Sequence, residues 1–102
     1  MTVVEICVED ALGVRRARDG GADRVEVCRD LSCGGLTPAF DEVAAALEVA
    51  PAGGVQVLVR PRPGDFVHSR EEVDRIASDI AQLALVGRGA AVPLGFVVGV
   101  LE

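Results

Sequence analysis

The chain has no lysine, asparagine, tryptophan or tyrosine, and it has a single histidine. All ten basic residues are therefore arginine, in a composition rich in Ala, Val and Gly that fits a GC-rich coding sequence. Positive charge is scarce as well: sixteen acids against ten bases leave a net charge of −6. That balance argues against nucleic acid or an anionic membrane surface as a partner. Long hydrophobic runs are missing too. The longest apolar stretch, Gly89 to Leu101, contains Pro93 and is too short to span a bilayer. The opening MTVVEICVED carries acids where a secretion signal needs bases. Three cysteines, at 7, 28 and 33, are too few and too odd in number for a disulfide scaffold, so reduced thiols are expected. These absences point to a cytoplasmic protein. Half of the 102 residues are apolar, enough for a modest core in one domain.

What is present is a strand-then-helix rhythm. Val3–Val8, Arg24–Cys28, Val55–Arg60 and Gly95–Leu101 read as strands. Asp10 is placed to cap a helix from Ala11 to about Arg18, closed by Gly20 and Gly21. Thr37-Pro38 reads as an N-cap followed by proline at the first position of a helix over 38–50. Ser69-Arg70-Glu71-Glu72 is a capping box, and Val73, Ile76, Ala77, Ile80, Leu83 and Ala84 follow it at helical spacing. The order βαβαβαβ predicts an α/β fold with a parallel sheet and right-handed crossovers. The longer loops, 29–37 and 61–69, follow strands two and three, at the end where α/β folds carry function.

Alternation along the strands sorts the side chains into two faces. Val4, Ile6, Val8, Val25, Val27, Val55, Val57 and Val59 form an apolar face for the helices. Glu5, Cys7, Glu26, Cys28, Gln56, Leu58 and Arg60 share the other. A polar face on a parallel sheet fits a barrel interior near its mouth. Buried carboxylates need partners, and Arg60 and Arg62 are the expected partners of Glu5 and Glu26.

The segments VEICVED, GGADRVEVC, GGLTP and RPRPGDF occur in this order, and GVLE closes the chain. Together they resemble the start of the CutC family of copper homeostasis proteins, over essentially the whole length. The resemblance implies a TIM barrel, here a partial one of about four strands and three helices over 1–102, truncated on its C-terminal side, since a complete barrel needs roughly 200–250 residues. It also implies cytoplasmic copper handling. Cys7 and Cys28 match positions proposed in the family to bind copper, and Glu5, Glu26, Arg60, Arg62 and Asp65 match its polar barrel mouth. Cys33 stands where the family pattern has an acid, Pro63 where it has glycine, and His68 where it has an aromatic residue.

Two inward thiols on neighbouring strands could grip one soft ion, Cu(I), or be small buried apolar residues. Glu5, Glu26, Arg60, Arg62 and Asp65 could instead serve an enzyme that acts on a small anionic metabolite, or form a structural ion-pair network. Asp65 could pair with Arg62 and shape its loop. His68 reads as a solvated loop residue, and Cys33 as a third thiol near the mouth or a loop cysteine prone to oxidation. The candidate partners are a copper ion, a small anionic molecule, or a second copy of the chain docked on open sheet edges. A truncated chain without activity is the remaining alternative.

Overall fold

The structure of the protein, a computed structural model, describes residues 2–101. Four parallel strands, β1 (Glu5–Val8), β2 (Arg24–Val27), β3 (Val55–Leu58) and β4 (Leu94–Val97), lie side by side in sequence order. Three helices connect them: α1 (Ala11–Asp19), α2 (Phe40–Val49) and α3 (Arg70–Val86). Asp10 caps α1 by accepting the Gly13 amide at 2.7 Å. Ser69 and Glu72 close the expected capping box on α3: the Ser69 hydroxyl accepts the Glu72 amide, and the Glu72 carboxylate accepts the Ser69 amide.

The start of α2 departs from expectation. The helix begins at Phe40 with Ala39 as its N-cap and no side-chain cap. Thr37 is not free to cap, because its hydroxyl accepts the Arg60 amide at 2.9 Å and donates to the Arg60 carbonyl at 3.1 Å. The residue that reads locally as a helix start is used to fasten the loop after β2 to the chain leaving β3.

The apolar face of the sheet packs against the helices as alternation predicts. Val25, Val27, Val55 and Val57 are fully buried, beneath Val14 of α1, Val43 of α2 and Leu83 of α3. Each such burial contributes about 1.5–3 kcal/mol. The outer strands differ. Val4, just before β1, and Ile6 on it remain 46% and 41% exposed, and Val98, Val100 and Leu101 beyond β4 are also exposed. Among the described residues β1 pairs only with β2, and β4 only with β3. The sheet therefore ends in two parallel edges that carry apolar side chains.

Gly54 is the tightest point of the frame. Its backbone is left-handed at φ +87, and a Cβ there would lie inside the van der Waals radius of the Pro93 carbonyl oxygen. That oxygen accepts the Val55 amide, and the Gly54 carbonyl accepts the Val25 amide. Gly54→Ala should destabilise the fold by at least about 1–3 kcal/mol from backbone strain alone, read as a lower urea midpoint; an unchanged midpoint would contradict this packing. The open edges predict concentration-dependent self-association in light scattering, and a compact, cooperatively melting monomer at all concentrations would contradict that.

Candidate functional site

The face turned away from the helices is built in layers, and the register of the strands decides which side chains share a layer. Glu5 lies opposite Arg24, and Cys7 opposite Glu26. Glu26 lies opposite Gln56, and Gln56 opposite Gly95. Leu58 follows on β3, and Arg60 lies one inward step above it. The two Glu-x-Cys doublets are thus staggered by two residues, so Cys7 meets Glu26 rather than Cys28. A stagger of this kind is what closing strands into a barrel demands.

Each layer has its own chemistry. In the lowest, the Arg24 Nε donates to Glu5 Oε1 at 2.6 Å. Arg24 belongs to the same face as Glu26 and Cys28, and counting the alternation back one residue from Val25 reveals it. In the next, the Cys7 thiol donates to Glu26 Oε2 at 3.6 Å. Gln56 lies against Gly95, where a Cβ would meet its amide at 2.5 Å. Above these, Cys28 is 1% exposed, and its thiol approaches the Val8 carbonyl at 3.8 Å. Desolvation, followed by the charges of Cys7, Glu26, Glu9 and Cys33, pushes the Cys28 thiol up to about 11. The Cys7 thiol is raised too, by desolvation first and then by Glu26 and Glu5.

The arginines correct the expected pairing: neither Arg60 nor Arg62 meets Glu5 or Glu26. Arg62 turns to its own loop and to α3, where its guanidinium pairs with Glu72 and, at 3.2 Å, with Asp65 Oδ1. It also donates to the carbonyls of Pro63, Asp65 and Val67. The prolines hold the turn so that Arg62 reaches the α3 cap, an element 10 residues away. Asp65 thus pairs with Arg62 and shapes the loop. Arg60 folds back under the glycine turn and is 9% exposed. Its Nη1 donates to the carbonyls of Cys33 and Gly35 at 3.1 and 3.2 Å, and its Nη2 to that of Gly64 at 2.8 Å. Gly34 and Gly35 are both left-handed, and a Cβ on Gly34 would lie 3.1 Å from Arg60 Nη1. The glycine pair of GGLTP is therefore a seat for Arg60, a role that the sequence motif alone does not announce.

His68 is a second correction. Its side chain is 1% exposed rather than solvated, with Nε2 3.1 Å from the Gly99 carbonyl and Nδ1 3.9 Å from Glu72 Oε2. The segment after β4 runs beside the loop through a Val67–Leu101 bridge and buries the ring. Cys33 is exposed, with its thiol on the Asp30 carbonyl at 3.2 Å. A cleft of about 260 Å³ opens between the start of α2 and α3, lined among others by Arg29, Phe40, Arg75 and Asp79, and neither Cys7 nor Cys28 borders it. The thiol layer is instead an open surface, with Cys7 exposed and Cys28 beneath.

Adjacent parallel strands in sequence order, helices on one side and layered polar side chains on the other define a partial TIM barrel. The chain belongs to the CutC family, whose family model matches residues 2–102. It is 37% identical to a CutC family protein of Aliivibrio fischeri over 97% of this chain and 38% of that protein. Against a CutC family protein of Mesorhizobium japonicum the identity is 44%, over 85% of this chain and 33% of the relative. The crystal structure of a CutC protein from Streptococcus agalactiae, named for copper homeostasis, matches with a TM-score of 0.82 at 28% identity. That match covers 100% of this chain and 47% of the other. The chain spans about a third of the length of the curated relatives it matches.

The Glu72 carboxyl is lowered to about 2, by the Ser69 backbone amide first and then by Arg62. A carboxyl depressed on folding stabilises above its ordinary value of 4.5, and that contribution disappears as pH falls toward 2. Glu72→Gln should therefore flatten the acid melting profile between these values, and an unchanged profile would contradict the Arg62–Glu72 clamp. Glu26→Gln should remove a negative charge from beside Cys7 and speed its alkylation at pH 8, while Cys28 stays protected until unfolding. Equal rates before and after the substitution would contradict the Cys7–Glu26 contact.

Proposed function

We infer that the chain serves copper homeostasis by binding Cu(I) through Cys7 and Cys28. The observation that carries this reading is the thiol pair: two unbridged cysteines on one face, at the carboxyl ends of neighbouring parallel strands, one layer apart. Soft thiolates favour Cu(I) over hard cations. Two donors suit an ion that accepts two ligands, whereas a structural zinc site takes four. Copper is cargo in this reading, and the open, exposed position of Cys7 gives it a way in and out. Three free thiols fit the reducing cytoplasm. The similar proteins include one named for copper homeostasis, which adds support from the family.

Both thiols are raised above their ordinary range, so Cu(I) displaces protons when it binds. Each released proton makes affinity rise about tenfold per pH unit below the thiol value. The reading predicts a Cu(I) affinity that increases between pH 6 and 9 by about 10- to 100-fold per unit. Competition against a Cu(I) chelator should give at least about 100-fold weaker binding for Cys7→Ser/Cys28→Ser. Equal binding by the double variant, or a pH-independent affinity, would overturn the thiol site.

An enzymatic reading is favoured by one observation only, the buried Arg60. Glu5, Arg62 and Asp65 are neutralised in local pairs, which leaves Glu26 as the acid–base candidate and Arg60 as the group that would hold an anionic substrate.

A further inference from the structure

Arg60 carries a charge for which the described residues supply no counter-charge. It is nine-tenths buried, yet the nearby arginines close their ion pairs without it: Arg62 with Glu72 and Asp65, Arg75 with Asp79. Its hydrogen bonds all run to neutral carbonyls. Carbonyl dipoles offset only part of the expense of taking a guanidinium out of water, and a carboxylate or phosphate normally completes it.

The donors can be counted. A guanidinium has five N–H groups. Nη1 uses both of its hydrogens, on Cys33 and Gly35, and Nη2 uses one, on Gly64. Two remain. One is on Nε, which is buried and has no partner at all. The other is on Nη2, the neighbouring nitrogen. Gly34 lies against Nη1 at one edge, and the Phe66 ring, itself 39% exposed, covers the guanidinium in a cation–π contact with Cζ 5.0 Å from the ring centroid. Arg62, two residues on, offers no such capacity, since its contacts already include two carboxylates and three carbonyls. Of the two arginines in RPRPGDF, one fixes the loop and the other is held in place with donors to spare.

We propose that Arg60 anchors a binding site for the oxyanion of a small ligand, a carboxylate or a phosphate, beside the Phe66 ring at the carboxyl end of β3. The anion takes the two unspent N–H groups and supplies the missing negative charge. A guanidinium suits this role better than an ammonium, because its planar fork is already fixed by the three carbonyls. The site is separate from the thiol pair and stands whether or not the chain binds copper: Arg60 is one inward step beyond Leu58, and neither thiol contributes to it.

The test follows the Arg60 Nε–H resonance of the full chain by 15N NMR during titration with sodium phosphate, sodium acetate or sodium chloride at matched ionic strength. A saturable shift with phosphate or acetate and none with chloride is expected, with half-saturation below about 10 mM. Saturation by phosphate alone assigns a phosphate ligand, and saturation by acetate alone assigns a carboxylate. Arg60→Lys keeps the charge and loses the fork, and should weaken binding at least about tenfold. If that variant fails to fold, Phe66→Leu serves in its place: thinning the cover should change the exchange rate of the Nε–H and the anion affinity together. A shift that follows ionic strength equally for all three salts, or no shift, overturns the proposal.

Discussion

The structure depends on how β1 is seated against β2. With Glu5 opposite Arg24 and Cys7 opposite Glu26, every inward side chain on these strands meets a partner of different chemistry. A slip of one residue would turn Val and Ile inward and the carboxylates toward the helices. A slip of two would put Glu against Glu and thiol against thiol, and leave Arg24 without its carboxylate. The Arg24–Glu5 pair at the bottom of the face and the buried valines behind it both oppose such slips. The stagger sets one thiol level with a carboxylate and the other a layer higher beside Leu58.

That arrangement explains why the two thiols differ so much. Cys7 is open to solvent, and its proton is held toward Glu26. Cys28 lies under the glycine turn, desolvated, with its pKa raised to about 11. An exposed thiol with a buried neighbour gives a soft cation an entry point and a second donor, but each bond must replace a proton. The same glycine turn that covers Cys28 also seats Arg60, since Gly35 lies against Leu58 and Cys28 while Gly34 lies against Nη1. The thiol layer and the buried guanidinium therefore share one piece of backbone, although their ligands would be chemically unrelated.

Much of this was legible in the sequence. Alternation gave the two faces, the capping residues at Asp10 and Ser69 gave two helix starts, and the motif set gave the family and its barrel. What escaped were contacts between segments remote in sequence. Thr37 reads as a helix cap until Arg60, 23 residues away, claims its hydroxyl. Arg62 reads as a partner for inward carboxylates until Glu72 appears beside it as part of the α3 cap. His68 reads as solvated because nothing local reveals that Gly99, 31 residues on, will cover it. Register is invisible for the same reason: the doublets VEIC and VEVC look equivalent, and only pairing shows that they are offset.

The copper reading rests on the staggered thiols acting together on one ion. X-ray absorption at the copper edge, on the reduced chain loaded with one equivalent of Cu(I), tests this most directly. The account predicts a first shell of two sulfurs, retained in Cys33→Ser and lost in Cys7→Ser or Cys28→Ser. A shell containing nitrogen or oxygen donors, or one that depends on Cys33 and not on Cys28, would contradict it.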